Sequence, residues 1–224
     1  MLFRSGHDTC SPASGYDKSY LSRINLETFE IDAVYPVGAV PKVVKVTPDN
    51  KYVLVSNWCS YTVSVISVEE QRLVKTIKIG RYPRGIAISA NSSYAYVAEM
   101  GGNNIHRIDL SDFSKTLIPI GSNPRAVELS PDNKILYATL NISGKVIAWD
   151  LETNKKIKSV TTGSSARSLA VSGDGNTLFV VNFKSGTVTK LRAADLSKVQ
   201  TIKVCKEPIG ITYDNESNRT WVAC

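Results

Sequence analysis

Four cations recur along this chain at nearly constant spacing: Lys42, Arg84, Arg125 and Arg167 lie 42, 41 and 42 residues apart. Gathered on one concave surface, they would form a partial ring that focuses positive field onto an anionic ligand. A second set, Asn57, Glu99, Asn141 and Asn182, follows at a similar period. Together the two sets are the candidate ligand-binding residues. Glu99 is an acid where its equivalents are Asn57, Leu140, Asn182 and Cys224. With Asn57 and Asn182 it offers oxygen ligands to Ca²⁺ or another divalent cation. The competing readings are structural. Each Arg bonds carbonyls of the neighbouring repeat, and Glu99 pairs with Arg84 or Arg125, since a hard cation wants several carboxylates and Glu99 is solitary.

No catalytic set is expected. There is no Gly-x-Ser-x-Gly elbow, His-Glu-x-x-His, phosphate-binding glycine loop or Cys-x-x-Cys-His haem attachment. His106 falls in a strand, where alternation suits it to packing or to an exposed face, and His7 lies in a segment that matches no repeat. No cofactor is expected beyond the divalent cation.

The 224 residues carry a net charge of +7, with 42% apolar and 21% charged residues, the profile of a globular domain. The basic excess favours anionic partners: a small molecule, a glycan, an acidic protein or nucleic acid. The Lys/Arg run of a nucleic-acid arm is missing, and no apolar run reaches the length of about 18 residues that spans a membrane.

The elements that position these residues follow from the repeat. Gly38, Gly80, Gly121, Gly163 and Cys205 step by 42, 41, 42 and 42 residues, as do Leu54, Tyr96, Tyr137, Phe179 and Trp221. Within one period, four short alternating stretches are separated by turns. In the second unit these are Gly85–Ile88, Tyr94–Val97, Ile105–Leu110 and Lys115–Ile120. Turns such as Pro48-Asp49-Asn50, Pro131-Asp132-Asn133 and Gly173-Asp174-Gly175 join the first two. Four antiparallel strands every forty-odd residues describe a propeller blade, and blades must stack to bury both faces. The expected fold is an all-β propeller with units near 38–79, 80–120, 121–162 and 163–204. Half units, 20–37 and 205–224, stand at either side, and residues 1–19 form an N-terminal segment and long loop.

The second strands carry a resemblance. Leu54-Val55-Ser56-Asn57, Tyr96-Val97-Ala98-Glu99 and Phe179-Val180-Val181-Asn182 resemble the Tyr-Val-Thr-Asn signature of YVTN-family β-propellers. Tyr137-Ala138-Thr139-Leu140-Asn141 reads as the same motif with one residue inserted. The preceding Gly-x-x-Pro-Arg-Gly-Ile-Ala and Pro-Asp-Asn elements match as well. Glu99, Cys224 and Ala166 depart from the pattern. The resemblance covers nearly the whole chain and implies a bacterial or archaeal envelope protein in the lactonase-like propeller superfamily. It is specific for fold rather than for function.

The two half units would complete one blade, closing a five-bladed ring. The favoured alternative is a piece of a larger propeller, seven-bladed in many members of the family, with residues 1–5 an artefact. On that reading the chain is exported and its signal peptide is not within this sequence. Cys10, Cys59, Cys205 and Cys224 all map to loops or strand ends on the face that carries the cations. This favours Cys10–Cys59, with Cys205–Cys224 a weaker second pair; a zinc site and free thiols are the rivals. The polar loop Gly6–Lys18 outgrows its repeat, as specificity loops do. Asn91, Asn141, Asn215 and Asn218 open glycosylation sequons, which Asn-rich turns also generate. The expected function is a non-enzymatic, exported binding or scaffold propeller recognising an anionic small molecule, glycan or protein on its loop-rich face. The alternatives are a lactonase-like metal-dependent hydrolase and a nucleic-acid binder.

Overall fold

The computed structural model describes Cys10 and residues 19–224. The loop Gly6–Lys18 apart from Cys10, His7 and residues 1–5 lie outside the described residues. Twenty strands and no helix occur among those described, so none of them forms a helix long and apolar enough to cross a membrane. The first hairpin is Ser19–Asn25 (β1) with Glu30–Val37 (β2). Four antiparallel four-stranded sheets follow. The first blade holds Pro41–Val46 (β3), Tyr52–Asn57 (β4), Thr62–Ser67 (β5) and Arg72–Lys78 (β6). The second holds Pro83–Ile88 (β7), Tyr94–Glu99 (β8), Ile105–Asp109 (β9) and Lys115–Ile118 (β10). Pro124–Leu129 (β11), Ile135–Leu140 (β12), Lys145–Asp150 (β13) and Lys155–Thr161 (β14) build the third. The fourth is Ala166–Val171 (β15), Thr177–Asn182 (β16), Thr187–Arg192 (β17) and Lys198–Lys203 (β18), and Gly210–Asp214 (β19) pairs with Arg219–Ala223 (β20).

Each blade runs in simple sequence order, and its inner strand packs beside the inner strands of its neighbours: β3 on β7, β7 on β11, β11 on β15 and β15 on β19. The core lies between blades. Leu54, Val63, Val65 and Ile77 meet Ile86, Ala95, Val97 and Ile108 across the first seam. Tyr96, Ala98 and Ile105 meet Val127, Leu136 and Trp149 across the second. Tyr137, Val146 and Ala148 meet Leu169, Leu178 and Leu191 across the third. The β1–β2 and β19–β20 hairpins remain separate two-stranded sheets. The two half units are therefore not joined into one four-stranded blade, as the closed five-bladed ring would require.

The turns explain how unlike sequences make like blades. Thr47, Ser89, Ser130 and Ser172 each donate a hydroxyl proton to the Asp or Asn two residues on, and accept the N–H of the first residue of the next strand. This Asx-type closure fixes the first hairpin of every blade. Neighbouring blades are stitched at the same turns, where Asp49 N donates to Ser92 Oγ and Ala90 N to Asn133 Oδ1.

Candidate functional site

The turn entering each inner strand sets the cations in place. Val40, Tyr82, Asn123 and Ser165 adopt left-handed φ values of 55–59° two residues before Lys42, Arg84, Arg125 and Arg167. Bulky and β-branched residues tolerate that region poorly, and in each case the residue's carbonyl is captured by the following loop. Trp58 N donates to Val40 O, Met100 N to Tyr82 O, Asn141 N to Asn123 O and Phe183 N to Ser165 O, all at 3.0–3.1 Å. One main-chain bond per blade thus brings the residue after β4, β8, β12 or β16 beside the cation loop. It also corrects the motif alignment. Leu140 pairs with Pro124 as Asn57 pairs with Pro41, Glu99 with Pro83 and Asn182 with Ala166. Nothing is inserted, and Asn141 is the counterpart of Trp58, Met100 and Phe183.

The four cations converge. Burial, then repulsion by Arg84 and Arg125, lowers the Lys42 pKa. Arg84 is pushed down to about 10 by burial and by Arg167, and Arg125 to about 9 by burial, Arg84 and Arg167. Burial lowers Arg167 too, opposed by Glu207. None of the four is in an ion pair among the described residues. The expected bonds from guanidinium to neighbouring carbonyls are also not what holds them. Arg125 Nη1 reaches Met100 Sδ at 3.4 Å. Arg84 lies 5.7 Å and Lys42 5.9 Å from the Trp58 ring, and Arg167 is 4.6 Å from Phe183. The backbone carries the anchoring instead: Ser56 Oγ donates to Arg84 O and Thr139 Oγ1 to Arg167 O across blade seams. Trp58 in turn stacks on Tyr82 at 4.7 Å. These aromatic residues were not anticipated, although their register after the Tyr-Val-Thr-Asn position was the available signal.

The other predicted residues take different places. Asn57 and Asn182 are fully buried inside their blades. Asn57 Nδ2 donates to Thr62 Oγ1 and Ser64 Oγ, and Asn182 Nδ2 to Thr187 Oγ1 and Thr189 Oγ1. Asn182 Oδ1 accepts from Thr162 Oγ1. Asn141 Nδ2 donates to Ala166 O across the blade seam. Glu99 pairs with His106 Nε2 at 3.1 Å rather than with Arg84 or Arg125. His106 is 4% exposed, so it packs inside rather than facing solvent, and burial lowers its pKa, opposed by Glu99. The pairs Asn57–Ser64, Glu99–His106, Leu140–Ile147 and Asn182–Thr189 stand at equivalent positions of four blades. Each fastens the second strand to the third beneath Gly38, Gly80, Gly121 or Gly163, where an added Cβ would sit within 3.0 Å of the fastening side chain. The symmetry break at Glu99 is therefore matched by one at His106. Asn57, Glu99 and Asn182 serve separate blades and are not gathered as a ligand set. No cluster of three or more His, Cys, Asp or Glu suited to a metal occurs among the described residues.

Cys10 is joined to Cys59, beside Trp58, and Cys205 to Cys224. All four cysteines are thereby used, and none is free among the described residues.

Comparison with known proteins agrees with the blade geometry. A family model described as YNCE-like beta-propeller matches residues 13–91, and one described as Cytochrome D1 heme domain matches residues 125–220. The chain is a β-propeller protein. Over 153 residues, 64% of this propeller and 33% of the relative, it is 29% identical to Antigen Lp49 of Leptospira interrogans. Over 112 residues, 47% and 22% respectively, it is 34% identical to Dihydro-heme d1 dehydrogenase of Pseudomonas aeruginosa. The propeller thus matches a third or less of the length of these curated relatives. Among solved structures, Kuenenia stuttgartiensis Hydrazine Synthase superposes with a TM-score of 0.64 at 19% identity, covering 93% of this chain and 89% of that one. That likeness is one of fold.

Proposed function

We propose that this is a non-enzymatic binding propeller whose channel mouth holds an anionic ligand. The observation that carries the reading is the convergence of Lys42, Arg84, Arg125 and Arg167, half-buried, repelling one another, in no ion pair among the described residues and with one acid, Glu207, in reach of Arg167. Desolvated like charges raise the free energy of the empty site, and an anion relieves both penalties. Trp58, Tyr82 and Phe183 add flat apolar faces beside the charges, so a ligand with a planar body and several anionic groups fits best. The names of one matching family and one relative mention heme d1, and a haem, flat and carboxylated, belongs to that class. The fit extends to carboxylates and ring faces only, because His106 is turned onto Glu99 inside its blade.

Two disulfides support an oxidising, exported setting. The hydrolase alternative rested on Asn57, Glu99 and Asn182, whose side chains are spent on fastening strands. A nucleic-acid ligand would use the same cations and would show a steep loss of affinity with salt. The test is calorimetric titration with citrate, pyrophosphate, protoporphyrin IX and a short single-stranded DNA. The wild-type chain is compared with Arg84→Gln/Arg125→Gln. We expect at least one small anion to bind, and the double variant to lose tenfold or more. Equal binding by the double variant would sink the proposal.

A further inference from the structure

The inner strands carry a second break in symmetry, near the opposite end of the channel. Lys45, Ala87, Glu128, Ala170 and Thr212 occupy one register position, each paired with the aromatic or leucine position of its second strand: Leu54, Tyr96, Tyr137, Phe179 and Trp221. They lie three residues beyond the cation ring, about 10 Å along the strand. The alanines at 87 and 170 leave room on both sides of Glu128. Two cavities fill that room. One of about 310 Å³ runs from Lys45 over Ala87 to Glu128, with Val46, Ile88 and Leu129 among its walls. The other, of about 410 Å³, extends from Glu128 over Ala170 to Thr212.

Glu128 is half-buried and makes no hydrogen bond or ion pair with any described residue. Burial raises the pKa of its carboxyl, and the charge of Lys45 opposes the rise without cancelling it. The two opposite charges are therefore within electrostatic reach of each other but not in contact, with an apolar floor between them. A lone cation at Glu128 would be repelled by Lys45, and a lone anion at Lys45 would be repelled by Glu128. A ligand carrying both signs, spaced by a few bonds, satisfies both at once. We infer that the smaller cavity is a site for a small zwitterion of the α-amino-acid class, its carboxylate on Lys45 Nζ and its ammonium on the Glu128 carboxylate. The site is independent of the anion-binding mouth, shares no residue with it, and leaves an apolar wall for a short side chain.

The probe is L-alanine, titrated calorimetrically into the full chain, with L-alanine methyl ester and N-acetyl-L-alanine as analogues that each lack one charge. Alanine should bind, and each analogue should bind at least tenfold more weakly. Glu128→Gln and Lys45→Gln should each weaken alanine about tenfold or more. Ala87→Leu, which fills the cavity and touches no charge, should abolish binding. Lys155→Gln, on the exposed outer strand of the third blade, should leave it unchanged. Absence of alanine binding to the wild-type chain would overturn the inference, as would equal binding of the methyl ester, which would mark a plain ammonium site. An unaltered affinity in Lys45→Gln or in Ala87→Leu would overturn it as well. The Lys45 and Ala87 variants keep the test decisive should Glu128→Gln fold poorly.

Discussion

Replacing Arg125 with Met should make the ligand-free propeller more stable while weakening its hold on anions. Arginine stays charged wherever the fold survives, so its displacement from the ordinary guanidinium value down to about 9 reads as an energetic penalty rather than a titration. At face value that displacement is worth roughly 5 kcal/mol. The guanidinium is half-buried, and solvent screening reduces the figure to about 1–2 kcal/mol. Little is lost in exchange. The side chain's polar contact is a 3.4 Å approach to Met100 Sδ, and methionine preserves most of its apolar stem. A gain of that size raises the melting temperature of a domain this long by about 3–6 °C. The assay is equilibrium urea unfolding at neutral pH and low salt, repeated at high salt, where screening of Arg84 and Arg167 should narrow the gap. If Arg125→Met instead lowers the midpoint, Arg125 is a scaffold residue like its predicted structural role, and the reading of the mouth as a poised anion site is wrong.

The blades themselves suggest three further experiments. Val37 stands where the fourth blade has Thr162, and Asn57 Oδ1 has no hydrogen-bond partner, whereas Asn182 Oδ1 accepts from Thr162. Val37→Thr should therefore stabilise the chain by about 1 kcal/mol in chemical unfolding. Asn182→Leu should cost about 2–4 kcal/mol by removing the buried amide that ties the Thr162, Thr187 and Thr189 hydroxyls together, and adding Thr189→Ile should recover part of that loss, copying Leu140 and Ile147; a double-mutant cycle measures the coupling. The carboxyls of Asp49, Asp132 and Asp174 are held below the ordinary 3.8 by turn hydroxyls and backbone N–H groups, Asp174 to about 2. Their contribution is full above the unfolded value and is lost as pH falls from about 3.8 toward 2, so Ser172→Ala should flatten the melting-temperature profile in that window.

Sequence periodicity reached the blades because each repeat must bury the same faces, which constrains residues such as Leu54, Tyr96, Tyr137 and Phe179 at fixed intervals. It also placed the four cations on one loop set. It could not see the left-handed turns at Val40 and Tyr82, where the residue type argues against the conformation and only a hydrogen bond from the next loop secures it. Nor could it align Asn141, since the identity of the asparagine outweighed the register that Leu140 fulfils with an apolar side chain. Trp58, Phe183 and Glu128 escaped for a related reason. Their partners, Lys42, Tyr82 and Arg84 for Trp58, Arg167 for Phe183 and Lys45 for Glu128, lie 16 to 83 residues away in sequence, and proximity of that kind is set by strand pairing and blade stacking.

In a repeat scaffold, a departure from symmetry is informative only after its local compensation has been sought. Glu99 looked like a functional acid because its counterparts are amides. His106 accounts for it, because the two changes occur at the positions that Asn57 and Ser64 fill in the preceding blade, and the third blade answers the same need with Leu140 and Ile147. A compensated departure belongs to the scaffold. The cations reverse the argument: they keep the symmetry of the repeat, yet they form no ion pair among the described residues, Arg84 and Arg125 depress Lys42, Arg167 depresses both of those arginines, and only Arg167 has an acid, Glu207, in reach. Glu128 breaks symmetry and is also uncompensated. Selection for stability alone would replace such groups with neutral side chains of similar shape. Under the proposed binding role, an anion at the mouth and a zwitterion at Glu128 would supply the partners these charges lack, which a purely scaffolding role does not.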